Sequence, residues 1–228
     1  QPGVHQLIQL YRGHPLALKL MATTIQDIFG GEIYDFLDQS TLVLGDIMPT
    51  IFYQHFERLS KLEKSIVYWL AIEEDPIALP QLRKYLQFSV SSTSEIVAAL
   101  ESLKRRALLE IVKTEGTTQF TLEPVFMKYI TNRLVEQFYQ DIDNILSDQS
   151  IQSLGLLKSH CFMTKDNSDW VRPPLILSKI KERLYMVSGI PDAFDIHIRA
   201  TLDQLKDKSS KEIGYTKINL QGLLSNGG

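Results

Sequence analysis

The sequence predicts a mostly α fold with one short β-hairpin, and three observations carry that prediction. Apolar residues recur at helical spacing through most of the chain. Two Ser-x-x-Glu boxes, Ser60-Lys61-Leu62-Glu63 and Ser92-Thr93-Ser94-Glu95, mark helix starts where hydroxyl and carboxylate satisfy backbone N–H groups reciprocally. One pair of β-rich runs flanks Glu115-Gly116-Thr117, a hairpin with a glycine turn. With 228 residues and 44% hydrophobic content, the chain suits one or two compact domains with real cores.

Residues 1–58 read as a small four-helix bundle. Val4, Leu7, Ile8 and Leu10 pattern a helix from Val4 to Tyr11, and Arg12-Gly13 breaks it. Pro15 suits the first turn of the next helix, where its missing N–H costs nothing. Leu16, Leu18, Leu20, Met21, Ile25, Ile28 and Phe29 give that helix a broad apolar face, and Gly30-Gly31 stops it. Ile33, Phe36 and Leu37 make a short third helix, and Ile47, Ile51, Phe52 and Phe56 a fourth.

Residues 59–142 change style. Leu62, Ile66, Trp69 and Leu70 line one face after the first capping box, and Pro80 opens a helix carrying Leu82, Tyr85 and Leu86. The second box starts a helix with Ile96, Ala99, Leu100, Leu103 and Ala107 at helical spacing. The β runs Leu108–Thr114 and Thr118–Leu122 follow, and Pro124 starts a long helix through about Ile142. Three helices with a β-hairpin form the winged-helix arrangement. Residues 143–228 read as a helical connector region. Leu154–Met163, Pro174–Tyr185 and Ala193–Leu205 are its helices, and Lys206–Lys211 is a solvated stretch.

Composition and motifs exclude several functions. The net charge of −3 gives no global basic field for nucleic acid. The lone Cys161 cannot form an internal disulfide, so a reduced, cytoplasmic setting is expected. No apolar run reaches the roughly 18–20 residues of a membrane span, and no signal peptide is visible. The absent initiator Met and the Ser225-Asn226-Gly227-Gly228 ending read as the boundaries of a piece of something larger. No G-x-x-x-x-G-K-[ST] phosphate loop occurs, so ATP hydrolysis by this chain is not expected. Ile66–Ile72 before Glu73-Glu74 imitates a Mg²⁺-binding strand, but its periodicity favours a helix.

Metal and DNA readings are weak. None of His5, His14, His55, His160 and His197 pairs at the spacing of a helical metal site. His160 and Cys161 are expected to point apart on a helix, and Asp141, Asp143 and Asp148 to form a solvated face. A DNA-reading helix would be Ser94–Arg106, whose early turns carry Glu95 and Glu101. Acid there opposes phosphate, and Lys104, Arg105 and Arg106 suit the helix's negative C-terminal end. A winged-helix DNA-binding regulator and a helical protein-interaction scaffold are the alternative readings.

Gly13-His14-Pro15-Leu16-Ala17-Leu18 resembles the G-x-P-L-A-L element of NB-ARC-type STAND signalling ATPases. Leu59–Ile72 and Ala107-Leu108-Leu109-Glu110 fall where that family places its winged-helix subdomain, and Ala17–Asp46 and Pro124–Glu136 resemble cyanobacterial members with WD or pentapeptide repeats. The resemblance implies a regulatory, non-catalytic module that closes over ADP or ATP held by an upstream NTPase domain. It implies a downstream repeat domain and oligomerisation of the parent protein on activation. It places Gly13, His14 and Pro15 at the nucleotide edge, the proline packing on adenine. The family ends its winged helix with Met-His-Asp, whose histidine reaches the β-phosphate. Here Leu122-Glu123-Pro124 stands at that place, so Glu123 occupies the latch position with a group that repels phosphate at neutral pH. No cofactor is expected for this chain alone.

Overall fold

The computed structural model describes residues 2–11, 13, 15–39, 47–86, 92–114, 116–148, 155–163, 175–188 and 191–224. The N-terminal part holds α1 (Pro2–Leu10), α2 (Pro15–Ile28), α3 (Ile33–Gln39) and α4 (Ile47–Glu57). Leu7, Tyr11, Leu20, Met21, Ile25 and Phe36 are buried, and Phe29 meets Phe36 edge-on with centroids 5.6 Å apart. Gly30 and Gly31, both at positive φ, follow the end of α2 as expected.

The middle part runs α5 (Lys61–Glu73), β1 (Ile77–Ala78), α6 (Leu79–Tyr85), α7 (Thr93–Arg105), β2 (Leu109–Thr114) and β3 (Thr117–Leu122). Both capping boxes form as read: Ser60 and Ser92 accept from the N–H groups of Glu63 and Glu95, whose carboxylates accept in return. The segment Ile66–Ile72 is helical, not a Mg²⁺-binding strand. The sheet is antiparallel and three-stranded in the order β1-β3-β2. The sequence shows only its hairpin, because β1 is two residues long and pairs Ile77 with Phe120 and Ala78 with Gln119. Thr117 belongs to β3 opposite Thr114 rather than to the turn. Ala107 is not helical: α7 stops at Arg105, and Ala107 takes φ 56° to swing the chain into β2.

The spine is α8 (Pro124–Asp148), about 37 Å long at 1.5 Å per residue. Phe126, Ile130, Leu134, Phe138 and Ile142 repeat every fourth residue, Ile145 follows, and all six are at most 1% exposed. One continuous stripe of this kind needs partners along its whole length. Helices α4 and α5 pack against it, as do the C-terminal α9 (Gly155–Ser159), α10 (Leu175–Ser188) and α11 (Pro191–Gln204).

Two short helices close the chain, α12 (Ser210–Ile213) and α13 (Thr216–Leu224), and sequence periodicity shows neither. The stretch Lys206–Lys211 is exposed as expected, but its last residues already belong to α12. Helix α9 ends at Ser159, so His160 and Cys161 lie beyond it and both are buried.

Candidate functional site

The sequence-derived candidates divide into two places. Gly13 has φ 68°, which favours glycine, and its N–H donates to the Ile8 carbonyl at 2.8 Å, turning the chain out of α1. Pro15 is the first residue of α2 and is exposed. His14 lies outside the described residues. Gly13 and Pro15 are therefore an open turn at a helix start, with the apolar face of α2 (Ala17, Leu20, Met21) directed into the bundle.

Glu123 stands elsewhere, at the start of α8. Its carboxylate accepts from the Phe126 N–H at 2.8 Å and its carbonyl from the Met127 N–H at 2.7 Å. Its own N–H donates to the Leu108 carbonyl at 3.2 Å, tying the head of α8 to the entry of β2. Glu123 is thus the cap of the longest helix, followed by proline at the first helical position. A negative group suits this end of the helix dipole. Helix α4, which touches both α2 and α8, links the two places.

The sequence reading missed a buried polar junction between α5, α8 and the C-terminal helices. His160 is 3% exposed. Its Nε2 lies 3.2 Å from the Ser65 hydroxyl and its Nδ1 2.8 Å from the Ser159 hydroxyl. The ring packs edge-on against Tyr68 and 5.1 Å from the centroid of Trp69. Trp69 stacks on Tyr85 at 4.6 Å and meets Tyr215 edge-on. Burial drops the His160 pKa to about 4, so the imidazole is neutral at pH 7.

Asn219 completes the junction. Fully buried on α13, it accepts from the Phe162 N–H and donates to the carbonyls of Leu157 and His160 at 2.8 and 2.7 Å. Asp141, expected on a solvated face, instead receives the N–H groups of Leu156 and Leu157 at 2.6 and 3.2 Å and caps α9. Burial raises its pKa, and those two hydrogen bonds oppose the rise. A Cβ on Gly155 would collide with this carboxylate, so glycine is what admits the cap.

A second junction joins α4 to α5 and α8. Phe52 lies 5.4 Å from both Phe126 and Tyr129, and Phe56 lies 5.5 Å from Tyr68. Arg133 covers Phe56 at 4.4 Å and donates to Glu57 at 2.8 Å, and Lys64 reaches the other Glu57 oxygen at 3.2 Å. His55 is buried here, and desolvation, reinforced by Arg58 and Arg106, lowers its pKa to about 4.

Among the described residues, no group of three or more His, Cys, Asp or Glu could hold a metal ion. None of their helices is long and apolar enough to cross a membrane.

The chain is 31% identical over 250 aligned residues to an uncharacterized WD repeat-containing protein of the cyanobacterium Nostoc sp.. The match takes in 96% of this chain but only 19% of that relative's length. No family model matches the chain, and no solved structure does. The similarity to a repeat-carrying cyanobacterial protein agrees with that part of the resemblance read from Ala17–Asp46 and Pro124–Glu136.

Proposed function

We propose that this chain is a non-catalytic regulatory module of an NB-ARC/STAND-type signalling protein, in which an upstream NTPase domain holds ADP or ATP. The observation that carries this reading is the succession of parts. A small helical bundle entered through Gly13 and Pro15 leads into a winged helix, and a shared spine, α8, ties both to a helical region. The long WD repeat-containing relative supports a parent with a downstream repeat domain for protein interaction.

In this reading the exposed turn at Gly13 and Pro15 is the edge offered to nucleotide. Glu123 holds the latch position but spends its carboxylate on capping α8, so it contributes rigidity rather than phosphate contact. Nucleotide state would then bias one arrangement of the bundle against the winged helix, which requires a ligand that binds the two arrangements unequally. The exposed side of α7, with Glu95, Val97 and Glu101, favours a protein surface over a DNA surface.

The test is a chain extended upstream by about 150–250 residues, an ordinary domain length. It is expected to contain a Gly-Lys-Ser/Thr loop and to bind ADP by calorimetry, while the present chain does not. Pro15→Arg in the longer chain is expected to weaken ADP binding at least tenfold, about 1.4 kcal/mol. An upstream sequence without that loop, together with no binding of ATP or ADP, overturns the proposal.

A further inference from the structure

We infer that the cleft between α11 and α13 is a docking site for an acidic protein segment carrying apolar side chains. The cleft has a volume of about 880 Å³ and is lined by Arg199, Leu202, Asp203 and Lys206 of the α11 side and Lys217, Gln221 and Leu224 of α13. It gathers three cations against one carboxylate in a chain whose net charge is −3. That carboxylate is already engaged, since Asp203 pairs with Lys206 at 2.6 Å. Among the described residues, neither Arg199 nor Lys217 takes part in an ion pair, and both are exposed. The cleft therefore carries more positive than negative charge, with Arg199 on its α11 wall and Lys217 on its α13 wall.

The rims are apolar. Ile196 is 66% and Ile218 46% exposed. Ile196 precedes Arg199 by three residues and Asp203 by seven on α11, and Ile218 precedes Gln221 by three on α13, so each exposed isoleucine stands beside a cleft-lining residue of its own helix. Exposed branched aliphatics beside unpaired cations complement a segment that alternates carboxylates with apolar residues. A small phosphate compound would use the charges alone and leave both isoleucines in water. Charge complementarity and apolar rims together select a polypeptide, and this inference stands without the nucleotide reading above.

The experiment uses the whole chain and a short fluorescein-labelled peptide of Glu, Asp and Leu, read by anisotropy. Neutral and basic peptides of equal length are controls, and tripolyphosphate is the competitor. The acidic peptide is expected to bind, and to weaken several-fold as salt rises from about 0.05 to 0.5 M, where screening shortens from about 14 to 4 Å. The double variant Arg199→Glu/Lys217→Glu is expected to lose at least tenfold in affinity with an unchanged thermal midpoint, and Ile196→Ser several-fold. Equal binding of the neutral peptide overturns the inference, as does undiminished binding by the folded double variant. Tripolyphosphate binding without peptide binding makes this a small-anion site and overturns it. Self-association by ultracentrifugation that the double variant abolishes, with no peptide binding, overturns it in favour of a second copy.

Discussion

The two ends of α8 are joined to their neighbours by different chemistry. At the N-terminal junction, α4 meets α5 and α8 through rings: Phe52, Phe56, Phe126, Tyr68 and Tyr129, rimmed by the Glu57–Arg133–Lys64 set. At the C-terminal junction, Asp141 of α8 caps α9 and the buried His160 meets Ser65 of α5, while Asn219 of α13 binds α13 to the segment Leu157–Phe162. Aromatic contacts tolerate many angles at similar energy. A buried hydrogen-bond network does not, since each misaligned donor or acceptor carries its desolvation cost uncompensated. The C-terminal segment is thus fixed to α5 and α8 in one geometry, and the N-terminal helices rest on a surface that can re-seat. If the proposed switch moves, it moves at α4.

Removing Asn219 tests the contrast most severely. Asn219→Leu leaves the Phe162 N–H and the Leu157 and His160 carbonyls without partners, and is expected to cost about 4 kcal/mol. Urea unfolding should show the loss, and limited proteolysis should cut the C-terminal helices first. A variant as stable as the native chain would remove the fixed C-terminal segment from the comparison.

Acidification comes next, and it acts on both junctions. The folded pKa of both His55 and His160 falls to about 4 from an ordinary 6.5. The unfolded chain therefore binds more protons than the folded one between those values, and stability falls as pH drops through that window. Below about pH 4 the loss is complete, at most roughly 3–4 kcal/mol for each histidine. Ser65, Tyr68, Trp69 and Ser159 surround His160, where burial outweighs the hydrogen bond to the Ser65 carbonyl, whereas Arg58 and Arg106 add repulsion to burial at His55. His160→Gln should reduce the slope of denaturation midpoint against pH between 6.5 and 4 by about half. An unchanged slope would assign the whole effect to the N-terminal junction.

Arg133→Ala has the smallest expected effect, about 1 kcal/mol, because its ion pair is partly solvated and its remaining contribution is ring contact. Its distinguishing signature is local: faster amide exchange in α4 with the C-terminal helices unchanged. Faster exchange in α9 and α13 as well would show that the two junctions are coupled.

Legibility in the sequence followed the range of the interactions. The capping boxes at Ser60 and Ser92 were readable because both partners lie within one helical turn. The start of α8 at Pro124 was readable because proline suits a first helical turn, although the helix runs on past Ile142 to Asp148. Strand β1 was not, since two residues carry no alternation and its existence depends on Phe120 and Gln119 more than forty positions away. Glu123 was legible only as the latch position that the resemblance implies, and the distance to the Phe126 N–H shows it to be a cap. Asp141 looked like one member of an acidic face, because nothing nearby in sequence reveals the α9 N–H groups it accepts.

By itself, the sequence determined helix starts, the apolar faces, the hairpin and the absence of a phosphate loop. These follow from backbone hydrogen bonding and periodicity within a few residues. Tertiary structure decided that His160 is neutral and enclosed, that Asn219 bridges three backbone groups, and that Arg199 and Lys217 line one cleft. Each depends on bringing together groups that are distant along the chain, where burial and opposing charge, rather than local propensity, set what a side chain does.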